Sequence, residues 1–555
     1  MTQTVSPASP AAGRTVSRDL RRSVGFWGLT FISLGSIIGS GWLLGALTAA
    51  QAAGPASLIS WVLAALMLMV LALIHAELGS AYPVAGGTAR FPYFAFGTLA
   101  GFTAGWAAYL QAVAIAPIEV EASISYLNST HWAQQHLVML HKNGTLNGTG
   151  LVIATGAMLL FTAINLLGAK LLSDSNTVLV IWKAAVPVLA VVVILSLSFH
   201  GSNFSAGGGF APHGAHGVFA ALPLGVVFAL QGFEQAVQMG GEARNPQKDL
   251  SRAIITAMFI GAAVYIALEI AFIGGLSPAN LAHGWNNPIG PGDFGPYYTL
   301  ALAAGAGWLG TILLIDAVAS PGGTGLIYLA TSARLSYALG EEEVLPDRLT
   351  HTSKRGVPMY SIALAFILGE LIFLPFPSWQ SLVALVTGAT AIMYAFAPVS
   401  LAVLQRQDPE RRRPYRVPFP NVMNPLGFVA ANLIIYWGGF EAMWKLLTAI
   451  FVGRVLFEIA LRRAKDVRRT DIDWRAASWI WPWLIGMTII GLLGRYGTGA
   501  HLALGEWWDL GVVIAFSLVI FYYAVGLGME PDKIKAAVKS EERQLQHLEE
   551  LNLPG

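Results

Sequence analysis

The chain has 555 residues, of which 55% are apolar and only 12% charged, with a mean hydropathy of +0.60. A soluble domain carries about 25% charged residues, so this composition cannot cover a water-exposed surface and excludes a soluble globular enzyme. A net charge of +2 is too small to suggest a nucleic-acid partner, and a chain without cysteine has no disulfide, thiolate metal site or cysteine nucleophile.

Crossing about 30 Å of hydrocarbon takes about 20 apolar residues. Fourteen stretches qualify, near residues 26–50, 56–79, 94–118, 151–168, 176–199, 216–240, 253–275, 299–338, 359–376, 380–404, 423–438, 441–461, 478–494 and 507–528. Each is expected to be helical, because lipid offers backbone groups no partner, and the alternation of a barrel strand is absent. Residues 1–25 read as a Ser/Ala/Pro-rich, then basic, tail (Arg14, Arg18, Arg21, Arg22) rather than a cleavable signal.

Span one contains Gly35-Ser-Ile-Ile-Gly39-Ser40-Gly41, three glycines within seven residues at mid-membrane depth. A break there leaves amide N–H groups of the following half-helix unpaired, with the positive end of its dipole alongside. Such an end suits a carboxylate; close helix packing is the alternative. Span five carries Lys183 in Val180-Ile-Trp-Lys-Ala-Ala, with apolar text on both sides that makes an easy reach to the interface doubtful. Burial disfavours the ammonium, so such a lysine can exchange a proton near neutrality; a structural ion pair is the alternative.

Span six holds a second break candidate, Phe228-Ala-Leu-Gln231-Gly232-Phe233-Glu234-Gln235. A membrane carboxylate is expensive and points to function. Paired breaks five spans apart are the mark of a transporter built from inverted repeats, with its site at the midplane. Span eight is too long for one straight crossing, and Pro321, Gly322 and Gly323 are expected to break it. Asp316 precedes this run and is a candidate partner for Lys183. Glu119 and Glu121, near the end of span three, are expected to face water or the interface, and Glu77 to anchor the end of span two. Span eleven is short, and its boundary with span twelve is placed near Gly438 and Gly439.

With a cytoplasmic N-terminus, 28 of the 33 lysines and arginines fall on the cytoplasmic side. That bias predicts an even number of spans and both termini in the cytoplasm. The expected organisation is a tail (1–25), a ten-helix core (26–404), a basic loop with helices 11 and 12 (405–461), accessory helices 13 and 14 (462–529) and a charged C-terminal tail (530–555).

These residues together resemble the amino acid-polyamine-organocation (APC) superfamily of permeases. The resemblance covers roughly 20–461: GSIIGSG in span one, Glu77-Leu-Gly with Pro83-Val-Ala-Gly-Gly, Gly232-Phe-Glu in span six, and ARNPQKDLSRA at 243–253. Arg334 with Leu345-Pro346, and Arg413-Pro-Tyr-Arg-Val-Pro418, complete it. Gly41-Trp42-Leu-Leu is similar to the aspartate-proton symporter branch. The resemblance implies a LeuT-like 5+5 inverted-repeat bundle of about fourteen transmembrane helices, with helices 1 and 6 broken. It also implies a substrate site at Ile37, Gly39, Ser40, Gly41, Phe228, Ala229, Gln231 and Gly232. The substrate carboxylate would sit on the Ser40 and Gly41 amides and its ammonium on freed carbonyls at Ile37, Phe228, Ala229 and Gln231. Phe228 would cover the substrate, and the Gln231 amide could reach a substrate side chain. In proton-coupled members a lysine at the place of Lys183 replaces a sodium ion and touches spans one and eight. Glu234 and Asp316 are further proton-site candidates.

The expected function is proton-coupled symport of an amino acid, with aspartate or glutamate as candidate substrates, across a plasma membrane and with no cofactor. An amino acid or amine exchanger, or a nutrient sensor, are the alternatives. A membrane enzyme is disfavoured because no HExxH, GxSxG or Ser-Lys arrangement stands in a convincing context.

Overall fold

A computed structural model of the chain describes residues 24–84, 86–167, 169–290, 293–341, 346–353, 357–374, 378–463, 472–505 and 507–551. The tail arginines, Leu345, and the basic residues Lys354, Arg355, Lys465, Arg468 and Arg469 lie outside the described residues.

Each apolar stretch is helical, and no strand forms among the described residues. Span one is Phe26–Ile37 and Gly41–Ala53, span two Ser57–Ala81, three Thr98–Asn128, four Gly148–Leu167 and five Ala169–Leu197. Span six is assembled from Gly214–Ala221, Val227–Leu230 and Glu234–Gln238; span seven is Pro246–Gly275, eight Gly307–Glu341, nine Met359–Phe373 and ten Trp379–Gln407. Spans eleven to fourteen are Pro420–Trp437, Gly439–Arg463, Ile480–Leu493 and Trp508–Leu527. The boundary between eleven and twelve therefore falls at Gly438. Spans three and ten are buried along nearly their whole length, whereas four, five and fourteen turn most of their apolar surface outward, as helices bathed in lipid can. Span twelve carries charges but pairs them one turn apart, Lys445 with Glu441 at 2.8 Å and Arg454 with Glu458 at 3.0 Å, which limits the cost of holding them at membrane depth. The whole is the LeuT-like helical bundle, with its first and sixth spans broken.

Span eight departs from expectation. It is one helix of 35 residues that runs through Pro321 without a break. Proline removes one N–H from the ladder, the one that would serve the Ala317 carbonyl, yet the helix continues on both sides of it, and the Thr324 hydroxyl also donates to the Ser320 carbonyl at 3.2 Å. Gly323 is used for close packing instead, since a methyl group there would collide with Leu179 of span five.

The face rich in Lys and Arg is knitted together. Glu77 is fully buried at the end of span two, where it pairs with Arg413 at 3.3 Å and accepts from the Val417 amide at 2.7 Å and from Gln405 at 2.8 Å. It is thus the anchor expected, with the RPYRVP loop as its counterpart. A helix unforeseen in the sequence, Gly87–Phe96, links spans two and three. The C-terminal helix Pro531–Leu551 docks beside it, burying Ile534 and Val538 and pairing Glu541 with Arg90 (3.4 Å), Glu542 with Arg411 (2.8 Å) and Lys533 with Asp473 (2.9 Å).

Candidate functional site

The two breaks touch each other. At Ile38 the backbone leaves the helix (φ −89°, ψ 83°) and span one resumes at Gly41. A methyl group on Gly41 would lie 2.8 Å from the Ala229 Cα, and one on Gly232 would lie 2.8 Å from the Ile37 nitrogen. Gly232 also has φ +121°, a conformation that side chains other than glycine's rarely adopt. Glycine is needed at both positions for the breaks to interlock.

The N-terminal end of the second half of span one holds a carboxylate, and it is the protein's own. Glu119 of span three accepts from the Ser40 amide at 3.0 Å through Oε2 and from the Ser40 hydroxyl at 3.1 Å through Oε1. The Trp379 indole donates to the same hydroxyl at 3.2 Å. Glu119 and Glu121 are both about 1% exposed, so the expectation that they face water is wrong. Span three continues as helix to Asn128, ten residues beyond the apolar stretch that defined it, and this carries both acids into the bundle.

Lys183 is buried, with 2% of its surface exposed. Its ammonium donates to the Gly35 carbonyl at 2.8 Å and to the Thr324 hydroxyl at 2.6 Å, which joins spans one and eight across span five. Glu119 and Asp316 are the carboxylates that act on it through space. The suggested Lys183–Asp316 pair is not among the ion pairs of the described residues. The Asp316 carboxylate is taken by the indoles of Trp42 (3.1 Å) and Trp182 (2.6 Å) and by the Ser320 hydroxyl (2.6 Å). Trp42 therefore serves Asp316 and stacks on Tyr297.

At the other break, Glu234 accepts from the Gly232 amide at 3.0 Å and from the Tyr394 hydroxyl, and its second oxygen is buried without a partner. The closure below is made by Tyr328 of span eight, bonded to Ser36 at 2.7 Å and to Gln235 at 3.2 Å, and by Ser33, which donates to the Phe233 carbonyl at 3.0 Å.

Between the breaks lies a cavity of about 20 Å³, room for a water molecule but too tight for an amino acid. Of the expected binding residues, Ile37, Gly39, Gly41, Phe228 and Gln231 line it. Ser40 is turned to Glu119, while Ala229 and Gly232 pack against span one. The Ile37 carbonyl already accepts from Tyr265 at 2.8 Å, and that of Phe228 from the Gln231 amide at 3.2 Å. Phe228 meets Trp379 edge to face at 6.0 Å. Both polar atoms of the Gln231 side chain are buried and unpartnered. Glu119, Gln111, Thr324, Tyr328 and Trp379 were not singled out from the sequence for this site. For Glu119 the cost of an acid at membrane depth was the signal available.

A sequence profile of the amino acid permease family matches residues 24–456. The chain belongs to this family. It is 34% identical over 523 residues to the glutamate/serine transporter AimA of Bacillus subtilis, covering 94% of this chain and 96% of that protein. It is 31% identical over 517 residues to the aspartate-proton symporter of the same organism, covering 92% and 97%. A branched-chain amino acid permease, BcaP of Bacillus subtilis, matches at 27% identity over 464 residues, 81% of this chain and 96% of that one. The first two matches are too long to end at residue 456, so the likeness extends into the accessory spans. This permease is accordingly a multi-pass membrane protein of a transporter family.

Proposed function

We propose that this permease is a proton-coupled symporter of an amino acid, with an acidic side chain such as that of aspartate or glutamate, in a plasma membrane with both termini cytoplasmic. The observation that carries the reading is the Glu119 carboxylate on the Ser40 amide and hydroxyl. The half-helix end has the donors and the dipole that a carboxylate needs, and a substrate α-carboxylate takes the same place, with Gly41 adjoining. Ile37 and Phe228 carbonyls face the ammonium, Phe228 and Trp379 close over it, and Gln231 offers a donor and an acceptor to the side chain. The names of the two relatives above 30% identity agree with a polar or acidic cargo.

Lys183 supplies the coupling. A lysine at membrane depth costs about 2.5–3.5 kcal/mol on insertion scales, and here it spends its protons on Gly35 and Thr324. Charged, it holds the first half of span one to span eight. Without its proton the bridge weakens and span one is free to rock. Glu234, with one bare oxygen at the second break, is a second place for a proton.

Uptake of labelled L-aspartate, L-glutamate and L-serine into proteoliposomes, with and without an imposed pH gradient, tests this. Accumulation should require the inward proton gradient and no sodium. Transport that is sodium-dependent and indifferent to pH, or strict one-for-one exchange, overturns it.

A further inference from the structure

Three features of the cavity do not follow from symport alone. The Ser40 amide and hydroxyl, the donors assigned to a substrate, are already engaged by Glu119. The Glu119 carboxylate is seated tightly on the break, such that a methyl group on Gly39 would lie 3.0 Å from its Oε1. In the same cavity Gln231, 6% exposed, has neither of its amide atoms partnered, although an unmet buried polar atom costs about 1–3 kcal/mol. One end of the site is therefore satisfied from within the chain, and the other waits for a ligand.

We infer that Glu119 is a resident competitor for the substrate's carboxylate, so that binding is an exchange of one carboxylate for another on Ser40. This rests on the reading that Ser40 holds that carboxylate, and adds to it how the site is regulated when no substrate is present. The geometry separates what stays from what leaves. Trp379 fixes the Ser40 hydroxyl from the far side, and the amide belongs to the backbone, so only the Glu119 side chain can make way. Its destination is close by. Lys183 feels the Glu119 charge but forms no ion pair with it among the described residues, and its Thr324 partner lies 3.6 Å from the methyl position of Gly39 that Glu119 also touches. A displaced Glu119 thus moves toward Lys183, and the arrival of substrate on span one is felt at the ammonium that ties spans one and eight. With Glu119 on Ser40, the cavity of about 20 Å³ has no space for a second carboxylate; the vacated volume is part of what admits the substrate.

The exchange makes apparent affinity weaker than the site's intrinsic affinity. Glu119→Gln, whose amide is a poorer acceptor for Ser40, should bind the transported amino acid about tenfold more tightly than wild type, the equivalent of losing one modest charged hydrogen bond. Glu119→Asp, too short to reach Ser40, should also tighten binding, and it retains the charge if Glu119→Gln does not fold. Binding is measured by isothermal calorimetry in detergent with whichever of L-aspartate, L-glutamate and L-serine the wild type accumulates. In the wild type itself, difference infrared spectra should show a glutamate carboxylate band that shifts when substrate is added and is missing from Glu119→Gln. Unchanged or weaker binding in the folded variants, as a carboxylate that pairs with the substrate's ammonium would give, overturns the inference, and so does a wild-type band that stays still. The underlying reading fails separately: if the amide of the same amino acid competes as well as the acid in wild type, Ser40 does not hold a carboxylate at all.

Discussion

The break in span one presents the Ser40 amide to a carboxylate from span three, 79 positions along the chain, whereas the break in span six is closed by Glu234, two positions from the amide it accepts. A cap borrowed from another helix can leave while its own helix stays folded. A cap inside the break cannot leave without remaking the break. The charges differ in the same way: Lys183 touches the backbone of span one at Gly35, while span six meets the neutral hydroxyls of Tyr394 and Tyr328 through Glu234 and Gln235. On the exchange inferred above, the two broken helices would divide the work, span one carrying the contacts that can be swapped and span six those that belong to the break itself.

The largest effect should come from removing the ion on the exchangeable side. Lys183→Ala is expected to abolish accumulation driven by a proton gradient in proteoliposomes while the protein remains monodisperse on size exclusion. A variant that still concentrates substrate would return Lys183 to a purely structural part and remove the asymmetry. Next in size is the interlock itself. Gly232→Ala must hold a side chain at φ +121°, a backbone cost of about 1–3 kcal/mol, and push a methyl against Ile37; its melting temperature in detergent and its uptake should both fall below those of Gly41→Ala, whose φ is ordinary. Equal effects would mean that close approach alone, and not the backbone of span six, sets the requirement.

Glu234→Gln should be milder, because the amide oxygen can still accept from Gly232 and Tyr394. Accumulation should persist, with a shallower dependence on external pH; complete loss, matching Lys183→Ala, would place coupling at both breaks. The smallest effect lies on the basic face. Burial tends to raise the Asp473 carboxyl, but the hydrogen bonds from Lys533 and the Ala476 amide outweigh it and hold the group below the usual aspartate range. A depressed value in the folded state means that its contribution is present above the unfolded value, about 3.9, and is lost as pH falls through the folded one. A fluorophore on the C-terminal helix should report loosening only in acid below about pH 4, and Asp473→Asn should loosen it only slightly at neutral pH, since Lys533 is largely exposed and such pairs contribute little.

The residues legible in the sequence were those whose chemistry is out of place locally. Three glycines in seven residues, a lysine flanked by valine, isoleucine and alanine, and an acid beside Gly232 each stand out against apolar text, and the structure sets each of them at one of the two breaks or in hydrogen-bond contact with it. What stayed hidden depends on neighbours. Glu119 lay past the end of an apolar run, yet helix three continues because other helices surround it. Pro321 and two glycines look like a break, but inside the bundle the helix runs on, and the missing side chain of Gly323 admits Leu179 of span five. Asp316 was matched with the nearest conspicuous cation, when two indole N–H groups, invisible as partners in a linear reading, were closer.

The unbroken course of span eight has one more consequence. Asp316, Ser320, Thr324 and Tyr328 follow one another at intervals of four along it, so the four span about 18 Å of a single rod. Tyr328 grips Ser36 and Thr324 reaches Gly35 through Lys183, both on the first half of span one; Asp316 grips Trp42 on the second half. Span eight thus acts as a splint across the fracture in span one. Loss of the Lys183 link would leave the first half held to this rod by Tyr328, while the second half stays strapped at Trp42, so the splint would grip the two sides of the fracture unequally.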